Sequence, residues 1–566
     1  MAKKYIDVMD TTFGDSLSSL YRCEIKSDDI LTSIEAAKDA GISHFEFINA
    51  SHFKSIVVNE RKNPFEFMKQ FRQAAGEEAN LQVSAHSINT FLDDIATYDL
   101  ISLFIKLIAQ NQATTIRHFD PLNDIRNLDF ISYEAKDSYL MNEVTICMME
   151  APTCCVGLYD ANFYKKKITE LLESAISFDS ICFMDVNGST SPTKVFEIIK
   201  MARELLGEDM HIRFNTRDSA SIGVTSYLAA LEAGVDGIDL SCAPISGFSS
   251  MPDILPLLYA TKDLDFNLDN LEIKKIQEYQ RFLKNQMAEY WPLTKRVDTH
   301  LMLQASSVLG DRLLDKLYTL KKSGNSNMLD SLVDKMSDVI DKGGCAASID
   351  VASRYYWQQA LLNVKYGDYK KINLDYAKMA LGYFGRTPIA PDPNLLDKIS
   401  LATNMELSYE DPLERESEVA TKSLEYFKNI LKSEALDVCD ENIYIVAVCG
   451  KDSYDYLRND TIIKMKKRLE KSKGIKSSNE PEKLAESKKF IQDGLEIISK
   501  YDGYIDELNI RVGDRIDMGE IVAVIKSDDF EISVMSPFSG TIVSAVSEGD
   551  EISKGDVIAT IASDIK

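Results

Sequence analysis

The segment HIRFNTRDSASIG, His211 to Gly223, ends a buried-strand pattern on two polar side chains, Asn215 and Arg217. Successive strand residues point to opposite faces, so an i, i+2 pair shares one face at the strand's end. Two histidines at that spacing supply half of a metal site. An amide and an arginine do not, because the guanidinium has no lone pair to offer and keeps its proton in proteins. Asp15, Asp185 and Asp218 stand near expected strand ends and form a candidate acid–base or metal cluster, although carboxylates beside an arginine more often neutralise it. His86, His118 and His300 are solitary imidazoles without HxH or HExxH spacing and read as packed side chains. Cys182 falls on the same face as Met184 and reads as an inert thiol, since no cation nearby in sequence lowers its pKa. Arg213 lies deeper on the inward face and requires a carboxylate partner such as Glu46 or Asp120.

From Tyr5 to about Thr261 short apolar strands alternate with amphipathic helices. The strands are YIDVMD, HFEFIN, LQVSA, TTIRHF, EVTICMM, SICFMD, HIRFNT and GIDLSC. Eight βα units predict a (β/α)8 TIM barrel over residues 1–263, whose chemistry belongs at the carboxyl ends of the strands. Glycine follows the helical pattern in KDAGI, LEAGVDG and RELLGED, the usual stop. Residues 264–450 read as an all-helical domain packed on the barrel's mouth, interrupted by the proline-rich GRTPIAPDPN. Residues 451–499 are a Lys/Glu/Ser-rich charged linker. In residues 500–566, GYIDELNIRVGDRIDMGEIVAVI is echoed by GTIVSAVSEGDEISKGDVIATIA, which predicts a small β domain of two similar halves.

The balance of 89 acidic against 64 basic residues gives a net charge of −25, which opposes nucleic acid or an anionic membrane as a partner. No uninterrupted apolar run approaches the ~18 residues of a membrane span, so a cytoplasmic protein is expected. Nine cysteines without a CxxC pair read as buried thiols rather than disulfides or zinc ligands. With no G-x-x-x-x-G-K-[ST] loop, ATP-dependent steps fall to a partner.

The tail resembles biotinyl and lipoyl domains, which carry a modified lysine at the hairpin between their halves. Here KSDDFE stands in register with the biotinyl E-A-M-K-M-E, and the lysine position falls on Asp529. A carboxylate cannot form the biotin amide, and Lys526 belongs in the strand before the tip. Asp528 and Phe530 replace the flanking methionines. The preceding chain resembles the carboxyltransferase (B-type) subunit of pyruvate carboxylase and the oxaloacetate decarboxylase α subunit. DTTFGDSLSSL is similar to D-T-T-[LF]-R-D-x-x-Q-S-L, HFDPLNDIRNL to F-D-A-L-N-D-x-R-N-L, and LEAGVDGIDLSCAPISGFSSMPD to the strand-eight motif ending G-G-T-S-Q-P. GYFGRTP extends the match in order along the chain.

The resemblance implies biotin-dependent CO2 transfer to a keto acid at a divalent metal held by an aspartate, a carboxylated lysine and two histidines. The matching positions are Asp15, Met184, Asn215 and Arg217. The arginine before the aspartate is Gly14 and the following glutamine is Ser18. The proton-shuttling threonine is Ser249, with Met251 for its glutamine neighbour, and the arginine that would hold the keto acid is His86. Met302 to Ala305 replace M-P-G-G. A thioether, an amide and a guanidinium do not make a zinc or manganese site, so neither metal nor biotin is expected. Instead Arg217 is expected at the metal position, bonded to Asp15 with Asp185 as a second acceptor. These substitutions point to a catalytically degenerate paralogue acting as a scaffold or regulatory subunit, as a homo-oligomer or with a carboxylase subunit. The alternatives are carboxyl transfer on pyruvate or oxaloacetate with biotin on a separate protein, or metal-free chemistry with Arg217 clamping an anion and Asp218 or His86 as base.

Overall fold

The computed structural model describes residues 3–563 except 22, 152–154, 156, 186, 291–315, 317–319, 323, 325–327, 474–494, 500–502, 517–519, 527–530, 537–539 and 554–555. The chain divides into two compact units, Met1–Met465 and Lys466–Lys566.

Eight parallel strands organise the first unit: β1 (Lys4–Asp10), β2 (His44–Asn49), β3 (Asn80–His86), β4 (Thr115–Phe119), β5 (Met141–Met148), β6 (Ser180–Asp185), β7 (His211–Thr216) and β8 (Gly237–Leu240). They pair in chain order, and β1 closes the ring, with Asp7 opposite Gly237 and Met9 opposite His44. A further strand, β9 (Phe266–Leu268), adds in parallel to the start of β1. Alternation decides which side chains reach the axis. In β7, fully buried Phe214 packs edge-on to Tyr227 of the helix Gly223–Ala233, at 5.7 Å between centroids. Arg213 and Asn215 therefore take the inward face, in register with Cys182 and Met184 of β6. The helix Pro192–Leu206 between these strands starts as its sequence directs. Ser191 accepts from the Lys194 N–H, and Pro192 occupies the first turn, where no donor is needed. It stops at Gly207, whose φ of 78° suits a residue without Cβ.

Beyond β9 the described elements of this unit are helical, among them Ile273–Gln286, Leu329–Lys342, Asp350–Tyr366 and Asp440–Cys449. Helix Asp440–Cys449 seats on the barrel's own helices through Tyr444, which stacks on Phe104 at 5.5 Å and donates to Thr90 Oγ1 at 2.9 Å. The turn between Leu329–Lys342 and Asp350–Tyr366 reaches the barrel, where the Ala347 N–H donates to the Pro121 carbonyl at 2.8 Å. Within that turn Cys345 is joined to Cys155 by a disulfide across 190 residues, which corrects the expectation of thiols throughout. A pairing so distant leaves no mark in local cysteine spacing. Cys147, Cys182 and Cys242 are buried thiols outside any disulfide, as expected. Among the described residues no helix is long and apolar enough to cross a membrane.

The second unit holds two four-stranded sheets. Its strands are β10 (Leu495–Ile498), β11 (Gly503–Leu508), β12 (Arg515–Ile516), β13 (Ile521–Lys526), β14 (Glu531–Met535), β15 (Gly540–Ala545), β16 (Glu551–Ile552) and β17 (Val557–Ser563). Their orders are β10-β17-β15-β12 and β14-β13-β11-β16. The sequence repeat appears as one turn built twice. Asp514 accepts from the Arg511 N–H and Asp550 from the Ser547 N–H, each at 2.8 Å, beside Gly513 and Gly549 in the left-handed region. Between them Ile505, Val522, Ile525, Ile542 and Ile558 form the core. β13 and β14 pair antiparallel with Lys526 opposite Glu531. Lys526 ends the strand, and Ser527 to Phe530, Asp529 among them, lie outside the described residues.

Candidate active site

Asp15 opens the helix Asp15–Tyr21 just after β1, and Arg217 follows β7. Both therefore stand at the carboxyl mouth of the barrel. Arg217 Nη2 donates to Asp15 Oδ1 at 2.9 Å, and its Nη1 donates to the Ser249 carbonyl at 2.5 Å. The side chains are 10% and 22% exposed, so the pair is mostly withdrawn from water. Beside it lies a cavity of about 80 Å³, lined in part by Asp15, Glu46, His86, Met184, Asn215 and Arg217. That volume accommodates several waters or one small organic acid.

Glu46 is a strongly perturbed carboxyl at the cavity. Burial and then the neighbouring Asp15 charge push its carboxyl up to about 8, so it is protonated at neutral pH. The β2–β3 pairing shifts between Glu46 and Ile48, and such irregularities re-aim side chains near sites. A Cβ on Gly14 would meet Glu46 Cγ at 2.7 Å, so the arginine of the resembled motif has no room here. Asp15 Oδ2 is buried without a hydrogen-bond partner.

Deeper in the barrel two arginines share three carboxylates. Arg117 Nε donates to Glu143 Oε1 at 2.6 Å, and its Nη1 to Asp239. Arg213 donates to Asp239 Oδ1 at 3.0 Å and to Glu143 Oε2 at 3.3 Å, and pairs with Asp7. The partners expected for Arg213, Glu46 and Asp120, are not the ones it has. Glu46 faces the cavity, and Asp120 accepts from the Leu122 and Asp124 N–H groups and from Asn127. Burial alone would raise Asp239, yet Arg117 and Arg213 hold its carboxyl below the usual range. Asn215 joins this layer through Nδ2, which donates to Asp239 Oδ2 at 2.8 Å. Arg117, Glu143, Asp239 and Asp7 were missed as site residues by sequence reasoning. Their mark is a charge at an inward position of an otherwise apolar strand, as in TIRHF and GIDL.

The aspartate cluster does not form. Asp185 follows Met184 by one residue, so it faces the opposite way and accepts from Thr216 Oγ1 at 2.9 Å and the Thr190 N–H at 3.2 Å. It is therefore not the second acceptor for Arg217. Asp218 accepts from the Gly223 N–H at 3.0 Å, which withdraws it as a base at the cavity. Ser249 turns its hydroxyl to the Ser19 carbonyl at 2.8 Å, while His86 lines the cavity and packs on Phe119 at 4.4 Å. Ser18, at the glutamine position, donates to Asn49 Oδ1 at 3.1 Å, and Met251 also lines the cavity. His118 is satisfied by Ser87 and Asn142. His300 and Met302 to Ala305 lie outside the described residues.

A divalent metal does not fit these donors. The guanidinium already takes Asp15 Oδ1, Asn215 is turned by its Asp239 bond, and Met184 offers only sulfur. At about 4 Å and an effective dielectric of about 20, a divalent ion and Arg217 repel by about 8 kcal/mol. One orphaned carboxylate oxygen does not offset that.

Residues 318–500 match the family described as "Conserved carboxylase domain", and residues 496–561 match "Biotin-requiring enzyme". The chain is 24% identical to the B subunit of pyruvate carboxylase from Methanocaldococcus jannaschii, over 98% of this chain and 93% of the relative. It is 22% identical to the corresponding protein of Methanothermobacter thermautotrophicus, over 99% and 93%. The methylmalonyl-CoA carboxyltransferase 5S subunit of Propionibacterium freudenreichii is 23% identical over 69% of this chain and 76% of its own. The fold matches the carboxyl transferase domain of Rhizobium etli pyruvate carboxylase, with a TM-score of 0.72 at 20% identity, over 81% of this chain and 78% of that one. Over nearly its whole length the chain is similar to the pyruvate carboxylase B subunit, with the barrel fold of a carboxyl transferase domain and a tail that matches a biotin-requiring domain.

Proposed function

We propose that this chain is a cytoplasmic, catalytically degenerate carboxyltransferase subunit with a scaffolding or regulatory role. The observation that carries this reading is the Arg217 fork on Asp15 and the Ser249 carbonyl, where the resembled site has its metal. Asp529 at the acceptor-lysine position supports it from the other end of the chain. Three relatives are named as subunits, which favours a partner carrying biotin or the carboxylase activity, joined through the helical domain 264–450 or the tail 500–566. The stretch 451–499 is then the linker between those domains. Purified protein is expected to hold no stoichiometric metal and to leave oxaloacetate undecarboxylated. Metal at one per chain together with turnover would refute the reading.

Co-expression with a biotin ligase is expected to leave the chain unlabelled on an avidin blot. A biotin mass shift at Lys526 is the opposing result. Asp529→Lys alone is not expected to restore labelling, because Asp528 and Phe530 remain in place of the methionines.

One observation favours a second reading. Glu46 presents a protonated carboxyl to the cavity beside Asp15, an arrangement suited to metal-free acid–base chemistry on a small acid. In that case His86 stands nearby as the substrate-facing imidazole, and Ser249 takes no part. Turnover without metal, lost in Glu46→Gln, would select this reading over the first.

A further inference from the structure

We infer that Cys155 and Cys345 are a reversible thiol–disulfide site that ties the barrel to the helical segment crossing its mouth. Cys155 lies in the segment after β5, and Cys345 in the turn after helix Leu329–Lys342; their Cα atoms are 6.8 Å apart. Both side chains are buried, at 3% and 0% exposure. The turn that carries Cys345 is positioned from both sides. The Tyr159 hydroxyl donates to the Cys345 carbonyl at 2.6 Å, and the Ala346 N–H donates to the Tyr356 hydroxyl at 2.8 Å. Two residues on, Ala347 bonds the Pro121 carbonyl, and the Ser348 N–H reaches Met149 Sδ at 3.5 Å. Ile349 then lines the mouth cavity. The bond therefore fastens a short turn that carries a cavity wall from the helical region.

The chemistry is ordinary exchange. Two thiols lose two protons and two electrons as the S–S bond forms, and a low-molecular-weight disulfide such as oxidised glutathione takes them up as two thiols. A dithiol reductant reverses the step. Burial of both sulfurs means that exchange waits on local opening of the turn or of the segment carrying Cys155. Asp341 has a carboxylate oxygen within 4.8 Å of both sulfurs. When the thiols are reduced, the three groups become a donor set for a soft divalent cation, which makes zinc the competing occupant.

Full-length protein purified without reductant is digested under non-reducing conditions and mapped by mass spectrometry. One linked peptide pair containing Cys155 and Cys345 is expected, released by dithiothreitol. Reduction is expected to lower the melting temperature of the wild type and to speed hydrogen exchange in residues 343–349. Both changes should vanish in Cys345→Ser. Should that variant fail to fold, alkylation of native wild-type protein decides instead, with protection of Cys155 and Cys345 expected until dithiothreitol is added. Alkylation of both residues before reduction overturns the inference. So does a linkage that persists in Cys155→Ser, which would place the bond on neighbouring Cys154. Stoichiometric zinc in the wild type that is lost in Cys345→Ser overturns it in favour of a metal site.

Discussion

Arg217→Ala lowers the unfolding free energy of the barrel-bearing unit by about 3 kcal/mol. The substitution leaves Asp15 in a mostly buried setting, with Oδ1 newly bare and Oδ2 already without a partner. It also releases the Ser249 carbonyl, which takes the Nη1 donor at 2.5 Å. An uncompensated buried charge costs about 3–5 kcal/mol, and the 22% exposure of Asp15 places this case at the low end. The neighbouring Glu46 offers an acidic group, and Arg117, which also lines the cavity, is already held by Glu143 and Asp239. Arg217→Lys retains the charge but not the fork, and is expected to lose about half as much, because one ammonium cannot match both acceptors in that geometry. Adding Asp15→Ala to Arg217→Ala removes the orphaned charge and should recover about 1–2 kcal/mol. Urea unfolding of the four proteins measures all three quantities. A loss under about 1 kcal/mol for Arg217→Ala would place the pair among exposed surface bridges and undo its structural role. The triple variant Met184→Lys, Asn215→His, Arg217→His tests the complementary point. Metal uptake by it would show that Asp15 and the strand ends still frame a coordination site.

The Asp15–Arg217 contact was legible because the resemblance puts both residues at ligand positions of one metal, and strand order puts both at the same end of the barrel. The eight strands were legible for a related reason. Each is a short apolar run bounded by helix caps and stop glycines such as Ser191 and Gly207, and these are local marks. What failed was information carried by height and by direction around the barrel axis. Asp185 follows an inward residue by one position, and the period of two sends it away from Arg217 to Thr216 and Thr190. For Arg213 the inward face was readable, but its partners on β1, β5 and β8 depend on the stagger of the strands, which no single segment encodes. The Cys155–Cys345 bond depends on where a helical turn 190 residues later comes to rest. Glu46 could be named from sequence, though not its titration, which arises from burial and the charge of Asp15.

That titration has a consequence for the whole unit: between about pH 6.5 and pH 8 the unfolding free energy falls by about 1–2 kcal/mol. Burial pushes Glu46 from 4.5 up to about 8, with Asp15 adding to the shift, and burial with Asp124 pushes Asp120 from 3.8 up to about 7. Groups with raised folded pKa values stabilise fully below their unfolded values and lose that contribution as pH rises through the folded ones. Asp10 and Asp185 behave alike but finish near 6, below this window. Three buried histidines work in the opposite sense. His44, His52 and His118 are lowered by burial to about 4, so the unfolded chain binds more protons there and stability rises with pH up to about 6.5. The two sets largely oppose each other in mild acid. Above about pH 6.5 the unfolded histidines shed their last protons and offset about 1 kcal/mol, while native Glu46 and Asp120 still hold protons that the unfolded chain has released. Asp239, held below the usual carboxylate range by Arg117 and Arg213, titrates far below the window and does not contribute. Over about 1.5 pH units Glu46 accounts for about 2 kcal/mol of the fall, and Asp120 for less than about 1. Glu46→Gln keeps the shape of the side chain and has no proton to lose. Its urea midpoint should therefore change little between the two pH values, because the Asp120 and histidine parts that remain are small and opposed. Equal declines in Glu46→Gln and the wild type would assign the effect to another group and return Glu46 to an ionised carboxylate at the mouth.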